Sequence, residues 1–593
     1  MPTARIPLVG SFNQRTIDGA MALAANDDQR FLNCTFDVVQ NPVTGKATVY
    51  VEKRPGWGVD SIVAAGSVST GLIKTDSVNS VVSAFGSTNS TIYDGQVSVG
   101  VITGRALYLS ETLISNIGYV LIKSSDGTGW YYTSDAKDVT AYTADGNNST
   151  TITDIKIAGV NNTSGLYPGQ LLAAASNIAV GTRVVSVNSG AFTAVLDTAT
   201  TGGAFNDLAI TKEPIAKIID ADFVTSGDSV TAFVEMDGYV LYGNADGYLY
   251  NSDLNSAVSW AANSRINPAM AADPPNALSR HKNMVVVFGS ASMEVFYNAG
   301  FATGSPFTRA PQFFSRIGAL DQRSVAALKD DIYYVSSAKY GDVAVYRLHN
   351  LSAQPISTVE MNKILGTISA TGGYMYANGF ELGGQSYLSL FCTTANEDTD
   401  FLLRETGEFL LQEDDSFIIL DADPSSAAAF AHLFVYCVGL NLWSEWDSSE
   451  ATYIAGIGSG PVNQLIATSR VDNGGKVYSI HPSSDGVLYE DDGAAYTMEI
   501  RTSKLDMGTE KRKFVNSISL VADEQSSGTV TLEASDDDYV TWTTLGTFDL
   551  TNRQKKITRC GSYKGGRAYR LRHSADAPFR GEALEIEYKV ASS

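Results

Sequence analysis

Between Asp237 and Tyr250 the chain reads Asp-Gly-Tyr-Val-Leu-Tyr-Gly-Asn-Ala-Asp-Gly-Tyr-Leu-Tyr, and this stretch decides the fold. It predicts a β-hairpin, because two nearly matching arms of aromatic and aliphatic residues flank a polar turn. Comparable units recur at 331–348, 434–446 and 478–488. Meanders that repeat without intervening helices are typical of a β-propeller, so the chain is predicted to be all-β.

The predicted propeller spans residues 61–499 and is interrupted twice. Residues 132–214 carry their own alternating strands and many Asn, Gly and Ser residues, which indicates a small inserted β domain. Residues 395–425 repeat a pattern of apolar pairs followed by an acid every eight residues, which indicates an inserted β-meander. The 325 residues that remain suffice for roughly six or seven blades at ~40–50 residues per blade. Residues 500–593 contain about five strands with polar turns and predict a C-terminal β-sandwich.

The first sixty residues, 1–60, form an N-terminal arm with a hairpin. The turn Asn41–Lys46 joins predicted strands over Thr35–Val39 and Ala47–Glu52, because Pro42 presets its backbone and Gly45 permits a positive φ. The run Lys53-Arg54-Pro55-Gly56-Trp57 follows at once. Its Pro-Gly pair is expected to end the second strand.

Composition indicates a folded protein of several domains. The chain has 593 residues, of which 44% are hydrophobic and only 18% are charged, which excludes a disordered chain. Its net charge is −22, from 42 basic and 64 acidic residues, and it shows no basic stripe of the kind that nucleic-acid readers carry. A net negative charge of this size can also serve only to keep the protein soluble. No run of ~20 apolar residues predicts a membrane span, and Met1–Ile6 lacks the apolar core of a signal peptide.

The four cysteines are scattered along the chain, at Cys34, Cys392, Cys437 and Cys560. Their spacing disfavours a zinc site or a disulfide framework and favours buried free thiols. Free thiols suit a protein that is made and assembled in a reducing cytosol.

No motif predicts catalysis, a cofactor or a metal. The histidines lie outside metal-ligand spacing of one another, and they are His281, His349, His432, His481 and His573. The acidic clusters Glu413–Asp415 and Glu490–Asp492 are interpreted as solvated loop tips, although carboxylates from distant blades could still meet at glycosidase spacing. The chain contains no Walker loop, dinucleotide fingerprint or Gly-x-Ser-x-Gly elbow. We therefore expect a protein that is not an enzyme.

One octapeptide, Ser535–Trp542, resembles the Asp-box of sialidase-type propellers, Ser-x-Asp-x-Gly-x-Thr-Trp. Tyr539 stands at the glycine position, and the sequence contains one copy. An Asp-box is a structural hairpin, in which Asp537 would accept hydrogen bonds from the turn while Trp542 packs. This octapeptide is therefore expected to stabilise a turn rather than to bind a ligand.

Three groups of motifs carry a family resemblance. The N-terminal group is Asn41-Pro42-x-Thr44-Gly45-Lys46 with Lys53-Arg54-Pro55-Gly56. The central group is Met293-Glu294-Val295-Phe296-Tyr297-Asn298, Gly304-Ser305-Pro306, Ser324-Val325-Ala326 and Ile356-Ser357-Thr358. The C-terminal group is Arg501-Thr502, Leu505-Asp506-x-Gly508, Lys511-Arg512-Lys513, Ser535-Asp536-Asp537, Trp542 and Arg567-x-Tyr569-Arg570-Leu571-Arg572. Together they resemble the tail nozzle proteins of short-tailed bacteriophages, also called tail hub or packaged-DNA stabilisation proteins.

The resemblance implies a structural virion protein that works by assembly. It implies a homohexameric ring below the portal and the head-to-tail adaptor ring, which extends the DNA channel, closes it until ejection and helps to retain packaged DNA. The implied partners are the adaptor ring, tail fibre or spike proteins and a tail needle. Genome DNA would pass through without sequence-specific binding, and the protein would not insert into a membrane. Its implied location is the virion tail, after synthesis in the host cytoplasm.

Two other functions remain open from sequence. The first is a propeller that binds or hydrolyses glycans, as a secreted enzyme or lectin. The expected lack of a signal peptide and the single, degenerate Asp-box argue against it. The second is a general β-propeller adaptor, which would use its loops to hold partner proteins.

Overall fold

The computed structural model describes most of the chain between residues 3 and 591. The ranges that it leaves out are 10–28, 41–46, 63–68, 75–79, 86–88, 134, 137–140, 228–229, 269–272, 337–342, 371, 394–431, 448–453, 461–463, 470–475 and 481–488. Most of the described residues are in β-strands, and few are helical. Among them, helix α1 covers Ala221–Gly227, helix α2 covers Val359–Ala370, and a short 3-10 turn covers Gln322–Ser324. No helix among the described residues is long and apolar enough to cross a membrane.

Seven four-stranded antiparallel units in the described residues form the blades of a β-propeller, which confirms the predicted fold. Five of them are separate sheets, while blade 2 is part of a ten-stranded sheet and blade 6 is part of a nine-stranded sheet. Their strands, from first to last, are as follows: blade 1, Ser69–Lys74, Ser80–Phe85, Asn89–Asp94 and Val97–Thr103; blade 2, Ala106–Ile114, Ile117–Ser124, Gly129–Thr133 and the end of Ala204–Lys217; blade 3, Val230–Met236, Tyr239–Asn244, Leu249–Ser252 and Trp260–Ile266; blade 4, Ala277–His281, Met284–Phe288, Met293–Asn298 and Phe307–Ser315; blade 5, Val325–Leu328, Asp331–Val335, Val345–His349 and Ser352–Pro355; blade 6, Tyr374–Leu382, Gln385–Thr393, His432–Cys437 and Leu442–Trp446; blade 7, Ile454–Gly460, Gln464–Ser469, Lys476–Ser479 and Gly58–Ile62.

The ring of blades is closed by the beginning of the chain. The first strand of each blade contacts the first strand of the next, and blade 7 contacts blade 1 in the same way. The last strand of blade 7 is Gly58–Ile62, which pairs antiparallel with Lys476–Ser479. Blade 7 therefore combines residues from both ends of the propeller sequence, so it cannot form until almost all of that sequence is present.

The hairpin that decides the fold lies within blade 3. Tyr239–Asn244 pairs antiparallel with Leu249–Ser252, and Tyr242 faces Tyr250 across the two strands. Their rings stack with centroids 5.0 Å apart and an angle of 9° between the planes. This aromatic pair is the cross-strand contact that the matching arms of the sequence predict.

A β-sandwich packs beside blade 6 and draws strands from both chain ends. One sheet contains Thr3–Pro7, Cys34–Gln40, Ala47–Lys53, Lys513–Ala522, Lys555–Thr558, Ser562–Tyr563 and Arg580–Val590. The other contains Arg30–Leu32, Met498–Arg501, Thr529–Ser535, Thr543–Asp549 and Ala568–His573. The second sheet continues into blade 6, because Leu32 pairs with Glu445 in parallel. The predicted N-terminal hairpin is present in its two strands, while its turn at 41–46 lies outside the described residues.

The insert in blade 2 has strands Ala141–Asn147, Thr151–Ile157, Val160–Asn161, Gln170–Leu172, Val184–Asn188, Thr193–Leu196 and most of Ala204–Lys217. Its buried side chains form a separate cluster around Tyr142, Ile152 and Ile210. The strand Ala204–Lys217 is shared, because its last residues pair with Trp130 and Tyr131 of blade 2. The predicted second insert, 395–425, lies outside the described residues. A short hairpin of Glu490–Asp491 and Ala494–Ala495 precedes the sandwich strand Met498–Arg501.

Candidate functional site at the junction of propeller and sandwich

The segment Lys53–Trp57 connects the sandwich to the propeller. It leaves the sandwich strand Ala47–Lys53 and enters Gly58–Ile62, the strand that closes blade 7. All five of its residues are buried, including two adjacent cationic side chains. Burial of two neighbouring positive charges is costly unless each is paired or well hydrogen-bonded, so the surroundings of this segment must supply negative partners.

Arg54 is held by a buried bidentate ion pair with Asp491. Its Nη1 and Nη2 donate to the two carboxylate oxygens of Asp491 at 2.9 and 2.7 Å, and both side chains are 0% exposed. Asp491 also accepts the backbone N–H of Trp57 at 3.0 Å. Burial alone would lower the pKa of Arg54, but the carboxylate of Asp491, together with Tyr496 and Asp447, raises that pKa above its ordinary value. The guanidinium therefore stays charged and joins blade 7 to the hairpin that precedes Met498.

The remaining donors of Arg54 reach two other parts of the fold. Its Nε donates to the side-chain oxygen of Asn33 at 2.9 Å, and its Nη2 donates to the carbonyl of Asp447 at 2.6 Å. Asn33 lies between two sandwich strands, and Asp447 follows the last strand of blade 6. A further bond from Nη1 to the carbonyl of Pro55, at 2.9 Å, closes the local turn. One guanidinium thus contacts the sandwich, the residue that follows blade 6 and the hairpin at 490–495.

An aromatic ring and a second cation complete the junction. The ring centroid of Tyr496 lies 3.9 Å from Cζ of Arg54 and 4.3 Å from Nζ of Lys53, so both cations contact this ring. Lys53 also donates to the carbonyls of Tyr489 and Ala575, at 3.1 and 2.7 Å. Burial, followed by the neighbouring Arg54 charge, lowers the pKa of Lys53 to about 8. Lys53 is therefore the titratable member of this cluster near neutral pH.

Gly56 lets the segment pass close to the hairpin at 490–495. A Cβ added at Gly56 would lie 1.9 Å from the carbonyl oxygen of Glu490, which is far below a van der Waals contact. The backbones are also joined directly, because the N–H of Asp492 donates to the carbonyl of Trp57 at 2.8 Å. The Pro-Gly pair of the motif therefore serves close backbone packing as well as ending a strand.

The structure corrects the interpretation of Glu490–Asp492 as a solvated loop tip. Asp491 is 0% exposed and forms the buried ion pair with Arg54. Asp492 is partly buried and pairs with Lys476 of blade 7 at 2.6 Å. The acidic run is therefore a set of anchors for the junction, because the buried cations of the N-terminal motif need carboxylates that local sequence does not provide.

The other acidic, sulfur and Asp-box candidates have structural roles where they are described. Glu413–Asp415 lies outside the described residues. All four cysteines are buried free thiols, as predicted, and burial raises the pKa of each thiol above its ordinary value.

In the Asp-box octapeptide, Asp537 accepts hydrogen bonds from the Thr541 N–H and hydroxyl and from Ser535, and these bonds lower its pKa to about 2. Trp542 packs under Arg570, whose Cζ is 4.3 Å from the ring centroid, so the turn-stabilising interpretation of this octapeptide is confirmed.

The described histidines are dispersed through the fold. His281 is buried in blade 4, where burial and the nearby Lys282 charge lower its pKa. His349 and His432 each lie beside one carboxylate, 2.8 Å from Asp331 and 2.7 Å from Glu445. Both ring nitrogens of His573 lie 2.9 Å from backbone carbonyls, and His481 lies outside the described residues.

Within the described ranges, one group of potential metal-ligating side chains comes close together, and it lies in the insert. It comprises Asp145, Asp154 and Asp207. Lys156 already lies between two of them, with Nζ 2.6 Å from Asp154 and 3.0 Å from Asp207. The ammonium group balances these acids, so the cluster is explained as a surface ion-pair network.

Comparison with known families gives a match to the central third of the chain. Residues 181–375 match the family model described as "Bacteriophage P22 Gp10, beta-propeller". This range runs from the insert through blades 3, 4 and 5 to the start of blade 6. It confirms the resemblance inferred from sequence and supports a phage structural protein with a β-propeller fold. Comparison with curated proteins gives no match.

Several solved structures share a distant likeness. The N-terminal domain of Nup159 is 8% identical, covers 76% of this chain and 98% of its own, and has a TM-score of 0.31. Phage phi92 endosialidase is 12% identical, covers 91% of this chain and 72% of its own, and has a TM-score of 0.25. Saccharomyces cerevisiae Sqt1 is 8% identical, covers 71% of this chain and 98% of its own, and has a TM-score of 0.31. With TM-scores this low, no function follows from these likenesses.

Proposed function

We propose that this chain, whose residues 181–375 match the P22 Gp10 propeller family, forms the tail nozzle or hub of a short-tailed phage. In this function, copies assemble into a homohexameric ring that extends the DNA exit channel below the portal and the adaptor. The ring closes the channel until infection and helps to retain the packaged genome. The observation that carries the proposal is the family match over three consecutive blades.

The junction at Lys53–Trp57 is consistent with a subunit that must resist mechanical force. A ring that holds pressurised DNA needs subunits whose domains do not move apart under force. In this chain the N-terminal segment supplies strands to the sandwich and then closes blade 7, with the buried Arg54–Asp491 pair between them. The propeller and sandwich are therefore linked by sheet hydrogen bonds as well as by a peptide connection. Such a body can present its loops to partners without deforming.

The net charge supports a channel through which DNA slides. DNA carries about one negative charge per 1.7 Å of duplex axis, and a basic wall would bind it by counterion release. Six copies of a chain with net charge −22 carry about −132 in total, so an acidic wall is readily supplied. In the proposed function genome DNA passes without sequence-specific binding. Two acidic pairs in the sequence, Asp414-Asp415 and Asp491-Asp492, are candidates to line such a channel. The first lies outside the described residues, and the burial of Asp491 argues against the second.

The proposed partners follow from the position of such a ring. The adaptor ring would contact one face, while tail fibre or spike proteins and a tail needle would bind the outer or distal surfaces. The protein would be made in the host cytoplasm and remain in the virion tail without entering a membrane. Glycan binding or hydrolysis is the alternative function, and the structural role of the Asp-box octapeptide removes one of its few sequence signals.

The proposal is tested by imaging the purified chain with the adaptor ring of the same phage. We expect particles with six-fold symmetry, in which this chain continues the channel of the adaptor. Native mass measurement should give six copies of this chain per particle. A chain that stays monomeric in the presence of the assembled adaptor ring would contradict the proposed function. A channel lined mainly by Lys and Arg would contradict the sliding argument alone.

A further inference from the structure

The positive charge of this chain is concentrated at its C-terminal end. Residues 501–593 contain 15 Lys and Arg and 13 Asp and Glu, for a net charge of +2. Residues 1–500 contain the other 27 basic and 51 acidic residues, for a net charge of −24. Two copies of this chain repel each other through the acidic residues 1–500. A stable contact between copies therefore benefits from a basic surface on the sandwich.

Most arginines of the sandwich are already neutralised within the subunit. Arg567 forms two bonds to Asp536, Arg570 binds Glu533, and Arg580 binds three carboxylates. Arg559 and Lys589 differ, because neither has an acidic partner among the residues that the structure describes. Both side chains are exposed. They are therefore among the exposed cations of this domain that have no acidic partner in the described residues, and they are distinguished by lining a common pocket.

Arg559 and Lys589 line one pocket with a volume of about 420 Å³, together with Phe514, Asn516 and Ser562. We call it the cationic pocket. Two irregularities of the backbone shape it. A β-bulge lies at Asn516, and Arg559 adopts a positive φ of 63°. The bulge interrupts the regular strand pairing at Asn516 and redirects the neighbouring side chains, as bulges commonly do at functional surfaces.

The floor of the cationic pocket carries an aromatic ring. Phe514 pairs with Lys589 on one side and with Ser562 on the other, so the three side chains project from the same face of the sheet. Phe514 is 50% exposed, although it lies in the middle of a sheet. Aromatic residues and arginine are both enriched at protein interfaces, so an exposed ring and Arg559 in one pocket favour a protein contact.

We propose that the cationic pocket receives a carboxylate-bearing segment of a second copy of this chain, with Phe514 covering the apolar part of that segment. This inference rests on the proposed ring, and it identifies one contact between its subunits. The excess of acids in residues 1–500 supplies the complementary charge. DNA is a weaker candidate, because two cations would displace counterions from only about two phosphates, whereas DNA-binding surfaces use many more.

The test is a charge reversal with a matched control. The test variant carries Arg559→Glu and Lys589→Glu, and the control carries Arg553→Glu and Lys564→Glu. The control positions are exposed cations of the same sandwich outside the pocket, and each double variant changes the charge by the same amount. All four side chains are at the surface, and thermal unfolding of each variant checks that the fold is retained.

Assembly is measured by native mass spectrometry and sedimentation, with and without the adaptor ring, at low and high salt. We expect the test variant to need a subunit concentration about tenfold or more higher for half-assembly, while the control assembles as the unmodified chain does. A Phe514→Ser variant should weaken assembly in the same direction without changing its salt dependence. Assembly of the unmodified chain should weaken as salt is raised.

Three outcomes would overturn the inference. If the unmodified chain forms rings and the test variant forms them equally well, the pocket is not a subunit contact and the proposed function still stands. If rings form normally but only the test variant loses retention of a DNA duplex, the pocket binds phosphate. If the unmodified chain never assembles, the proposed function fails and this inference fails with it.

Discussion

Replacing Asp491 with alanine should destabilise the protein more than any other single loss of a carboxylate described above. The change removes both oxygens that accept from Arg54, at 2.9 and 2.7 Å, and the acceptor of the Trp57 N–H. It leaves the Arg54 guanidinium buried with no carboxylate, since that side chain is 0% exposed. Breaking one side of a buried ion pair costs about 3–5 kcal/mol, so Asp491→Ala should lower the free energy of unfolding by about that amount.

The neighbouring Asp492→Ala variant is the matched control. Asp492 is also acidic and lies one position further along the same hairpin, but its partner Lys476 and its own side chain are partly exposed. Loss of a partly exposed pair costs about 0–1 kcal/mol. The double variant Arg54→Met with Asp491→Leu should cost less than the sum of its two single changes, because no unpaired charge remains.

Guanidinium unfolding provides the measurement. Trp57 and Trp446 are buried at the junction, so their fluorescence reports its loss, and circular dichroism reports the strands as a whole. The chain has several domains, so midpoints of each transition are compared rather than one global free energy. An Asp491→Ala variant whose junction transition matches that of Asp492→Ala would refute the reasoning, because it would show that Arg54 does not depend on its buried partner.

Four further outcomes are expected. Gly56→Ala should lower the melting temperature by an amount that corresponds to about 1–3 kcal/mol or more, because its Cβ would meet the Glu490 carbonyl at 1.9 Å; an unchanged melting temperature would contradict this. The stability of the unmodified chain relative to Lys53→Met should be constant below pH 8 and rise between about pH 8 and 10.5. The reason is that Lys53 has a pKa of about 8 in the folded chain, so the unfolded chain binds more protons in that window. Measuring the unfolding midpoint of both proteins as a function of pH checks the sign. Replacing residues 141–213 with a short Gly/Ser linker should leave a folded propeller, since this insert has its own core, and global unfolding of the deletion would show that it supports blade 2. Incubation with cell-surface polysaccharides should give no turnover, and turnover that is abolished by one acidic substitution would favour the glycan-hydrolysing alternative.

Local patterns were sufficient for the fold class and for individual hairpins. The arms around Gly243–Asp246 pair as their alternation predicts, and the strands around the Asn41–Lys46 turn pair over seven positions. The Asp-box octapeptide folds into the hydrogen-bonded turn expected from its Asp and Thr residues. Each of these features depends on residues fewer than about twenty positions apart, where strand alternation and turn chemistry determine the outcome.

The candidate site could not be predicted in the same way. Arg54 and Asp491 are separated by 437 positions, and the local sequence around Asp491 reads only as an acidic turn. The same holds for Gly58–Ile62, whose partner strand Lys476–Ser479 lies near the other end of the propeller. Two adjacent cations before Pro-Gly-Trp were the available signal, because cations that are buried at the end of a strand require a carboxylate, and the local sequence does not show which one.

The position of the junction has a consequence for how the protein withstands force. The strand Gly58–Ile62 forms an edge of blade 7, and detaching it would expose unpaired backbone groups on Lys476–Ser479 and open the ring of blades. The residues that precede this strand are held in place, because Arg54 is bound to Asp491 and Lys53 is bound to the carbonyl of Ala575. Separating the domains therefore requires loss of the strand pairing, the buried ion pair and the lysine contacts together. These interactions all oppose a force that separates the two domains, which is a property that a subunit of the proposed ring would need.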